Sequence, residues 1–311
     1  MSKTMENTTE VPPKKKLIRK PTPISPNTEV PPRKKLIRKP TSISPNVDLL
    51  EYISTSSRNH NEEWLHILKA NNINPRSSSI ILKTEDIKKC RTTWKGKSNQ
   101  FEPRLLAKID CLEDVPDIFQ FYGLNIISNT NSSYLLTHES VYESLNYDDT
   151  AEVQLISRNT DSLVLGIGQS ESSVIDNLRY CGLFESNVYL NEPIKYGPLL
   201  SGRHRCSFET HLQKEPIHIQ GVQYETDGCY ESENKILLIE GKSKLAKSFN
   251  LRQLYFPYRT IYDKKCKKEI IPIFIATDTK SKIFHIWKFT FEDPLVMSSI
   301  KCLAYNKYKF V

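Results

Sequence analysis

Three charged residues have types and a spacing that suit phosphate chemistry. Asp227 precedes a polar turn, and Glu240 and Lys242 follow the uninterrupted apolar run 236–239. The run predicts a strand buried on both faces, and residues two apart on a strand face the same side. If the turn is centred near Glu233, the antiparallel partner of Glu240 falls near Asp227. The sequence therefore predicts a strand end that gathers two carboxylates and one ammonium group.

Two carboxylates and a lysine are the components of metal-assisted phosphodiester hydrolysis. Asp227 and Glu240 would supply hard oxygen ligands for Mg²⁺, which keeps several waters and leaves room for phosphate oxygens. The backbone carbonyl of Gly241 would complete the ligand shell. Lys242 would orient or help deprotonate the attacking water and stabilise the transition state. The alternative interpretation is a surface hairpin with an exposed Glu–Lys pair, because this spacing is common by chance.

The positive charge of the chain is concentrated in residues 1–46. The 311-residue chain has a formal net charge of +8, and this segment holds 11 Lys and Arg against three Asp and Glu, which accounts for the whole excess. Val11–Asn27 recurs as Val30–Asn46 with 15 of 17 positions identical, and half of the 18 prolines lie here. The composition predicts a disordered leader, since little apolar surface offsets the ordering entropy. The alternative is a basic arm that raises DNA affinity without reading sequence.

The rest of the chain has the composition of a soluble α/β protein. The chain is 38% hydrophobic, and it has neither an 18-residue apolar run nor a secretory signal. Its seven cysteines never form Cys-x-x-Cys, which favours reduced thiols in a cytoplasmic protein.

The order of elements after Ser170 predicts an α/β core around a mixed sheet. Ser170 should cap a helix that runs to about Cys181 and stops at Gly182. Pro257 should bend or end a later helix that starts at Phe249. Further strands are expected at 208–212, 217–226, 236–242, 270–276 and 283–291. Upstream, we expect helices at 47–53 and 62–70, and strands at 78–82, 153–156 and 163–167.

Several segments together resemble one enzyme family. Val222–Gly228, Ile239–Lys242 and Phe249–Arg259 resemble, in order, a VQIEID-GYE strand, an EAK strand and a RQLYYPYR helix. These are motifs of a family of bacterial type II restriction endonucleases in the PD-(D/E)xK nuclease superfamily. Phe101–Asp110 resembles its EPRLM-K-D segment. Two short signatures, SE and SGR, have counterparts at 170–171 and 201–203. The resemblance covers roughly residues 100–311.

The resemblance implies an enzyme that uses Mg²⁺ to cut double-stranded DNA at a specific site. Asp227, Glu240 and Lys242 would be its catalytic and metal-binding set. It implies a restriction-endonuclease-like core at 166–311 and a mixed α/β domain for DNA recognition at 47–165. Cutting both strands suggests a homodimer on a palindromic site. Host DNA would need a cognate DNA methyltransferase for protection, although no physical contact with it is implied.

Two departures from the family pattern leave its chemistry intact. Gly241 stands where the family has alanine, and Thr226 stands where it has isoleucine. Gly241 keeps a small residue and loosens the strand slightly, and Thr226 is a β-branched exchange that a strand tolerates.

Six other residues are candidates for the site. Glu171 resembles the auxiliary acidic residue of such folds, or it is only a favourable charge at a helix start. Gln223 and Glu225 precede Asp227 on the same strand face, and they either share the site or hold a lysine. Three arginines are candidates for DNA contacts: Arg203, Arg252 and Arg259.

Two alternative functions fit the same residues. One is a repair or resolvase-type nuclease on the same core. The other is a non-catalytic DNA-binding protein in which the Asp–Glu–Lys set is structural.

Overall fold

The computed structural model describes residues 60–95, 101–157, 162, 170–214 and 216–311. The predicted tail at 1–46, the helix at 47–53 and the strand at 163–167 lie outside these ranges. The described residues form a mixed α/β protein, which confirms the predicted fold class. No helix in this part of the chain is both long and apolar enough to cross a membrane.

Six α-helices and thirteen strands are described. The helices are α1 Asn61–Ala70, α2 Thr84–Thr93, α3 Pro103–Leu106, α4 Asp117–Tyr122, α5 Glu171–Tyr180 and α6 Arg252–Tyr262. The strands before α5 are β1 Ser79–Lys83, β2 Asn125–Thr130, β3 Ser133–Thr137, β4 Tyr142–Ser144 and β5 Val153–Ile156. The strands after α5 are β6 His204–His211, β7 Pro216–Tyr224, β8 Gly228–Glu231, β9 Lys235–Lys242, β10 Ser248–Asn250, β11 Glu269–Asp278, β12 Ile283–Phe291 and β13 Ile300–Phe310.

The strands form two large mixed sheets and one small one. The five-stranded sheet has the order β1-β3-β2-β7-β6, and β2 and β7 are its parallel pair. The six-stranded sheet has the order β5-β13-β12-β11-β9-β8, with parallel pairs β5–β13 and β9–β11. The small sheet pairs β4 with β10. Each sheet combines strands from both sides of the predicted domain boundary at 165/166.

β9 lies between β11 and β8 in the six-stranded sheet and has hydrophobic residues buried on both of its faces. Ile236 and Leu238 belong to one hydrophobic core, and Leu237 and Ile239 belong to a second core on the opposite face. A strand covered on both sides needs a continuous apolar run, which explains the sequence pattern. The prediction that this strand is buried on both faces is confirmed.

The β8–β9 hairpin has the predicted register. Gly228 lies opposite Ile239, and Glu231 lies opposite Ile236. One step beyond the last pair, Asp227 comes opposite Glu240. The turn between the strands is closed by Ser232, whose backbone N–H donates to Lys235 O at 2.9 Å.

Two helices flank β9 and bring further residues towards its end. α5 begins where the Ser170 hydroxyl accepts a hydrogen bond from Ser173 N at 3.2 Å, as predicted. It stops at Gly182, whose φ of +75° suits a glycine. Ile175 and Leu178 on its inner face are buried in the second core.

The second flanking helix, α6, differs from the sequence prediction. Residues Ser248–Asn250 form β10 rather than the start of a helix, because they pair with β4. Pro257 does not end the helix, which continues to Tyr262. An internal proline costs roughly 3 kcal/mol through the lost hydrogen bond and its ring contact. Burial of neighbouring Phe256 and Tyr258 offsets this cost.

Candidate catalytic site

A cleft of about 450 Å³ contains the three residues that the spacing brought together. Asp227, Glu240 and Lys242 line it from the end of the β8–β9 hairpin. Further lining comes from β2, β3, β6 and β7 of the five-stranded sheet and from α3 and the segment that follows it. Strand ends from both sheets therefore meet at the same cleft.

Asp227 is fixed by a backbone donor of β9. Its Oδ2 accepts a hydrogen bond from Gly241 N at 2.8 Å. The N–H and C=O of one strand residue point to the same side, so the Gly241 carbonyl also faces Asp227. A Cβ on Gly241 would lie 3.4 Å from Glu171 Cβ and from Ile175 Cδ1. An alanine at this position would thus be in contact with α5, and glycine leaves this space open.

Glu240 is a buried carboxylate with two side-chain donors on one oxygen. Its Oε1 accepts from Lys242 Nζ at 2.6 Å and from Gln253 Nε2. Burial raises the pKa of Glu240 to about 7, although Lys242 acts in the opposite direction. Burial is the largest single effect on the pKa of Lys242 and would lower it, but the charge and hydrogen bond of Glu240, together with the charges of Glu171 and Asp110, raise the pKa overall. The structure therefore contradicts the alternative interpretation, in which Glu240 and Lys242 form an exposed pair on a surface hairpin.

The two carboxylates together form an oxygen-rich site in which neighbouring groups do not fully balance the negative charge. Burial also raises the pKa of Asp227, and the Gly241 N–H and Lys242 only partly oppose this effect. A nearby cation would favour the charged form of both carboxylates.

The donor set at this end of the cleft fits a cation with few protein ligands. Among the residues that the structure describes, no three His, Cys, Asp or Glu side chains form a ready metal-binding group. Two carboxylates and a backbone carbonyl suit Mg²⁺, which usually keeps several waters. Asp227, Glu240 and Gly241 would be the residues that hold it.

Glu171 lies beside this set, at the first position of α5. It lines the cleft, and its Oε1 accepts a hydrogen bond from Ser243 N at 3.3 Å. Its negative charge raises the pKa of Asp227 and of Lys242, though it is not the main cause for either. The structure therefore places Glu171 next to the site as well as at a helix start.

Gln223 and Glu225 also line the cleft, but Arg203 does not. Glu225 pairs with an arginine rather than a lysine: its Oε1 lies 3.0 Å from Arg203 Nε. Gln223 Nε2 donates to the same oxygen at 3.5 Å. The three side chains thus form a connected polar row on one face of the strand ends.

The two arginines of α6 lie in different environments. Arg252 lines the cleft, and its Nη2 donates to Asp110 Oδ1 at 3.0 Å. Arg259 is only 8% exposed and does not line the cleft. It donates to Glu209 O at 2.7 Å and to Asp263 Oδ1 at 2.8 Å. The structure brings Arg252 to the site and uses Arg259 to hold α6 against β6.

Sequence reasoning missed several residues of the cleft. Gln253 holds Glu240, yet it follows Arg252 in a helix whose orientation no local pattern shows. Asp110 lies at the end of the segment Phe101–Asp110, whose resemblance to the family was a usable signal. Three more cations also line the cleft: Arg104, Lys108 and Arg205.

The fold and the site thus define a mixed α/β protein whose cleft is lined by side chains of both charges, with Asp227, Glu240 and Lys242 at one end of a strand hairpin. The chain belongs to the family of a domain of unknown function, DUF6997, whose model matches residues 137–309. Residues 61–136 match a second domain of unknown function, DUF6996. No curated protein and no solved structure matches the chain.

Proposed function

We propose that this chain is a Mg²⁺-dependent type II restriction endonuclease, which hydrolyses phosphodiester bonds at a specific site in double-stranded DNA. The observation that carries the proposal is the β8–β9 register. It places the Asp227 carboxylate on Gly241 N–H, beside the buried Glu240–Lys242 pair. The resemblance to restriction endonucleases of the PD-(D/E)xK superfamily adds support, because Asp227, Glu240, Lys242 and Arg252 of this cleft lie in the segments that carry it.

Each residue of the set has a chemical role in this proposal. Bound Mg²⁺ would supply an activated water and neutralise charge on the phosphate. Gln253 and Lys242 fix the carboxylate of Glu240 through its Oε1. The ammonium group of Lys242 is held charged, so it is suited to orient the attacking water and to stabilise negative charge on the phosphate. Arg252 supplies a further cation in the same cleft.

The proposal extends to the cellular setting of such an enzyme. The chain would act in the cytoplasm as a homodimer, because two active sites are needed to cut both strands of a palindromic site. A cognate DNA methyltransferase would protect the host DNA. The restriction-endonuclease-like core would comprise 166–311, with 47–165 contributing to recognition.

Cleavage of unmethylated phage DNA tests the proposal. The purified full-length chain with Mg²⁺ should give discrete bands, and EDTA should abolish them. Glu240→Ala and Lys242→Ala should each lower the cleavage rate by about 10²-fold or more, because each removes a group that acts in the transition state. Lys244→Ala is the matched control, since Lys244 is an exposed lysine two residues further on. It should cut like the parent.

The same assay separates the alternatives. A preference for branched over linear duplex would favour a resolvase-type nuclease. DNA binding with no cleavage in any metal would favour a non-catalytic DNA-binding protein. Cleavage that persists unchanged in Glu240→Ala would contradict the assignment of this site.

A further inference from the structure

A cross-strand pair of polar side chains lies on the cleft wall that faces away from the hydrophobic core. Arg205 on β6 is directly opposite Gln223 on β7. Their chain neighbours Cys206 and Val222, which form the next pair, are buried in the core. Arg205 and Gln223 therefore point to the open face of the sheet, and both line the cleft.

The pair is joined to the candidate catalytic residue by a short length of chain. Gln223, Glu225 and Asp227 are each two residues apart, and all three line the cleft. Four residues span at most about 14 Å even when fully extended. Any group that contacts Gln223 is therefore close to the reacting centre.

The orientation of Gln223 is set by its neighbours. Its Nε2 donates to Glu225 Oε1 at 3.5 Å, and Arg203 Nε holds the same oxygen at 3.0 Å. Arg203 therefore occupies the Glu225 carboxylate. Arg205 forms no ion pair with any residue that the structure describes.

Two more unpaired cations line the same cleft. Arg104 and Lys108 are exposed and form no ion pair within the described ranges. By contrast, Arg252 and Lys242 are paired with Asp110 and Glu240. Unpaired cations in the same cleft as a phosphate-cleaving centre suit the backbone of a bound duplex.

We propose that Arg205 and Gln223 read base edges of double-stranded DNA, while Arg104 and Lys108 contact its phosphates. This inference rests on the proposed nuclease function and names the specificity residues of the same cleft. A guanidinium can bond guanine O6 and N7 at once, and a side-chain amide can bond adenine N6 and N7. The Arg205–Gln223 pair thus has the donors and acceptors to read two base pairs.

The reach of the chain limits where these bases lie. Base pairs rise about 3.4 Å each along the duplex. A span of at most about 14 Å from Gln223 to Asp227 then corresponds to roughly four base pairs. We therefore expect the cut to fall inside the recognition sequence or at its edge.

Sequencing the cut ends of a long mixed-sequence DNA tests the inference. The parent defines the recognition sequence, and each variant is then assayed on all single-base substitutions of it. Arg205→Ala and Gln223→Ala should each lower discrimination by about 10- to 100-fold, at a base pair within roughly four of the cut. Arg205→Lys should relax the same position as Arg205→Ala but keep the salt dependence of binding, because lysine keeps the charge and loses the planar fork.

Glu209→Ala and His218→Ala are the matched controls. These residues are a cross-strand pair on the same two strands, exposed, and outside the cleft. Both variants should keep the parent's discrimination at every position. Thermal unfolding of all variants checks that the sheet is intact.

A second arm measures binding without cleavage. Glu240→Gln, with and without Arg205→Ala, selects bound duplexes from a randomised pool in EDTA. If Arg205→Ala loses the base preference at one selected position, the result supports the inference. This holds even if the parent cuts no DNA, because the absence of cutting would overturn only the nuclease proposal. If the parent gives discrete bands and the Arg205 and Gln223 variants keep its sequence specificity, this inference is overturned and the nuclease proposal stands. If the parent cuts no DNA and Glu240→Gln selects no sequence, both the nuclease proposal and this inference are overturned.

Discussion

At the scale of single residues, Arg252 and Arg259 show how position decides the role of one side-chain type. Both lie on α6. Arg252 faces the cleft beside Asp110, whereas Arg259 is buried against β6 with its guanidinium 5.3 Å above the Phe208 ring. The sequence predicted DNA contacts for both, because both are arginines at positions expected to lie on one helical face. Only the packing of α6 separates them.

Arg259→Met should therefore affect stability rather than DNA binding. The change leaves Glu209 O without its donor and removes the partner of Asp263. We expect a loss of about 1–3 kcal/mol in the free energy of unfolding, since each of these hydrogen bonds involves a charged group. Urea unfolding measures it. Lys264→Ala, an exposed cation in the next turn, should change stability little. Weaker DNA binding with unchanged stability would contradict this assignment of Arg259.

At the scale of elements, the β8–β9 hairpin was predictable because its signals are local. A four-residue apolar run fixes the strand, and a polar turn three residues long fixes the register, so Asp227 and Glu240 had to meet. α6 was less predictable, because Pro257 is a local signal against a helix and only tertiary packing overrides it. For the same reason the contact of Gln253 with Glu240 was not predictable. Each depends on where a helix lies on a sheet.

Truncating either face of β9 should destabilise the protein strongly. Leu237 and Leu238 are both fully buried but belong to opposite cores. We expect Leu237→Ala and Leu238→Ala each to cost about 2–5 kcal/mol, because each removes buried apolar atoms and leaves a cavity. Urea unfolding with fluorescence detection measures both. Leu245→Ala is the control, since Leu245 is 48% exposed and should cost little. A small loss at only one position would show that β9 is covered on one face alone.

At the scale of the whole molecule, strand pairing joins parts that the sequence separates. β1–β3 begin within the residues that match the DUF6996 domain, and β3 ends at the start of the DUF6997 match. The parallel β2–β7 pair joins these strands to the wall of the cleft. Local patterns predicted the strand at 153–156 to the residue. They gave no partner for it, because partners far apart in sequence are set by the packing of the whole sheet.

The charge distribution of the whole chain leads to a prediction about residues 1–46. This segment, which lies outside the described residues, carries the entire excess charge of +8. Released counterions make DNA affinity fall with salt, by a slope of roughly 0.9 per neutralised phosphate. If the segment is a basic arm, its deletion should weaken nonspecific DNA binding at low salt and flatten the slope.

A charge-neutralised arm separates charge from length in that experiment. Replacing the 11 Lys and Arg of residues 1–46 with Gln keeps every proline and the full length. If charge is responsible, this variant should match the deletion, while Glu6→Gln, Glu10→Gln and Glu29→Gln together should steepen the slope slightly. Fluorescence anisotropy with a labelled nonspecific duplex, from about 50 to 200 mM salt, covers the range in which such contacts are lost. Identical slopes for the parent, the deletion and the neutralised variant would contradict the arm and favour a leader with no part in binding. Under the proposed function, the DNA affinity would then come from the cations of the cleft, among them Arg104, Lys108 and Arg205.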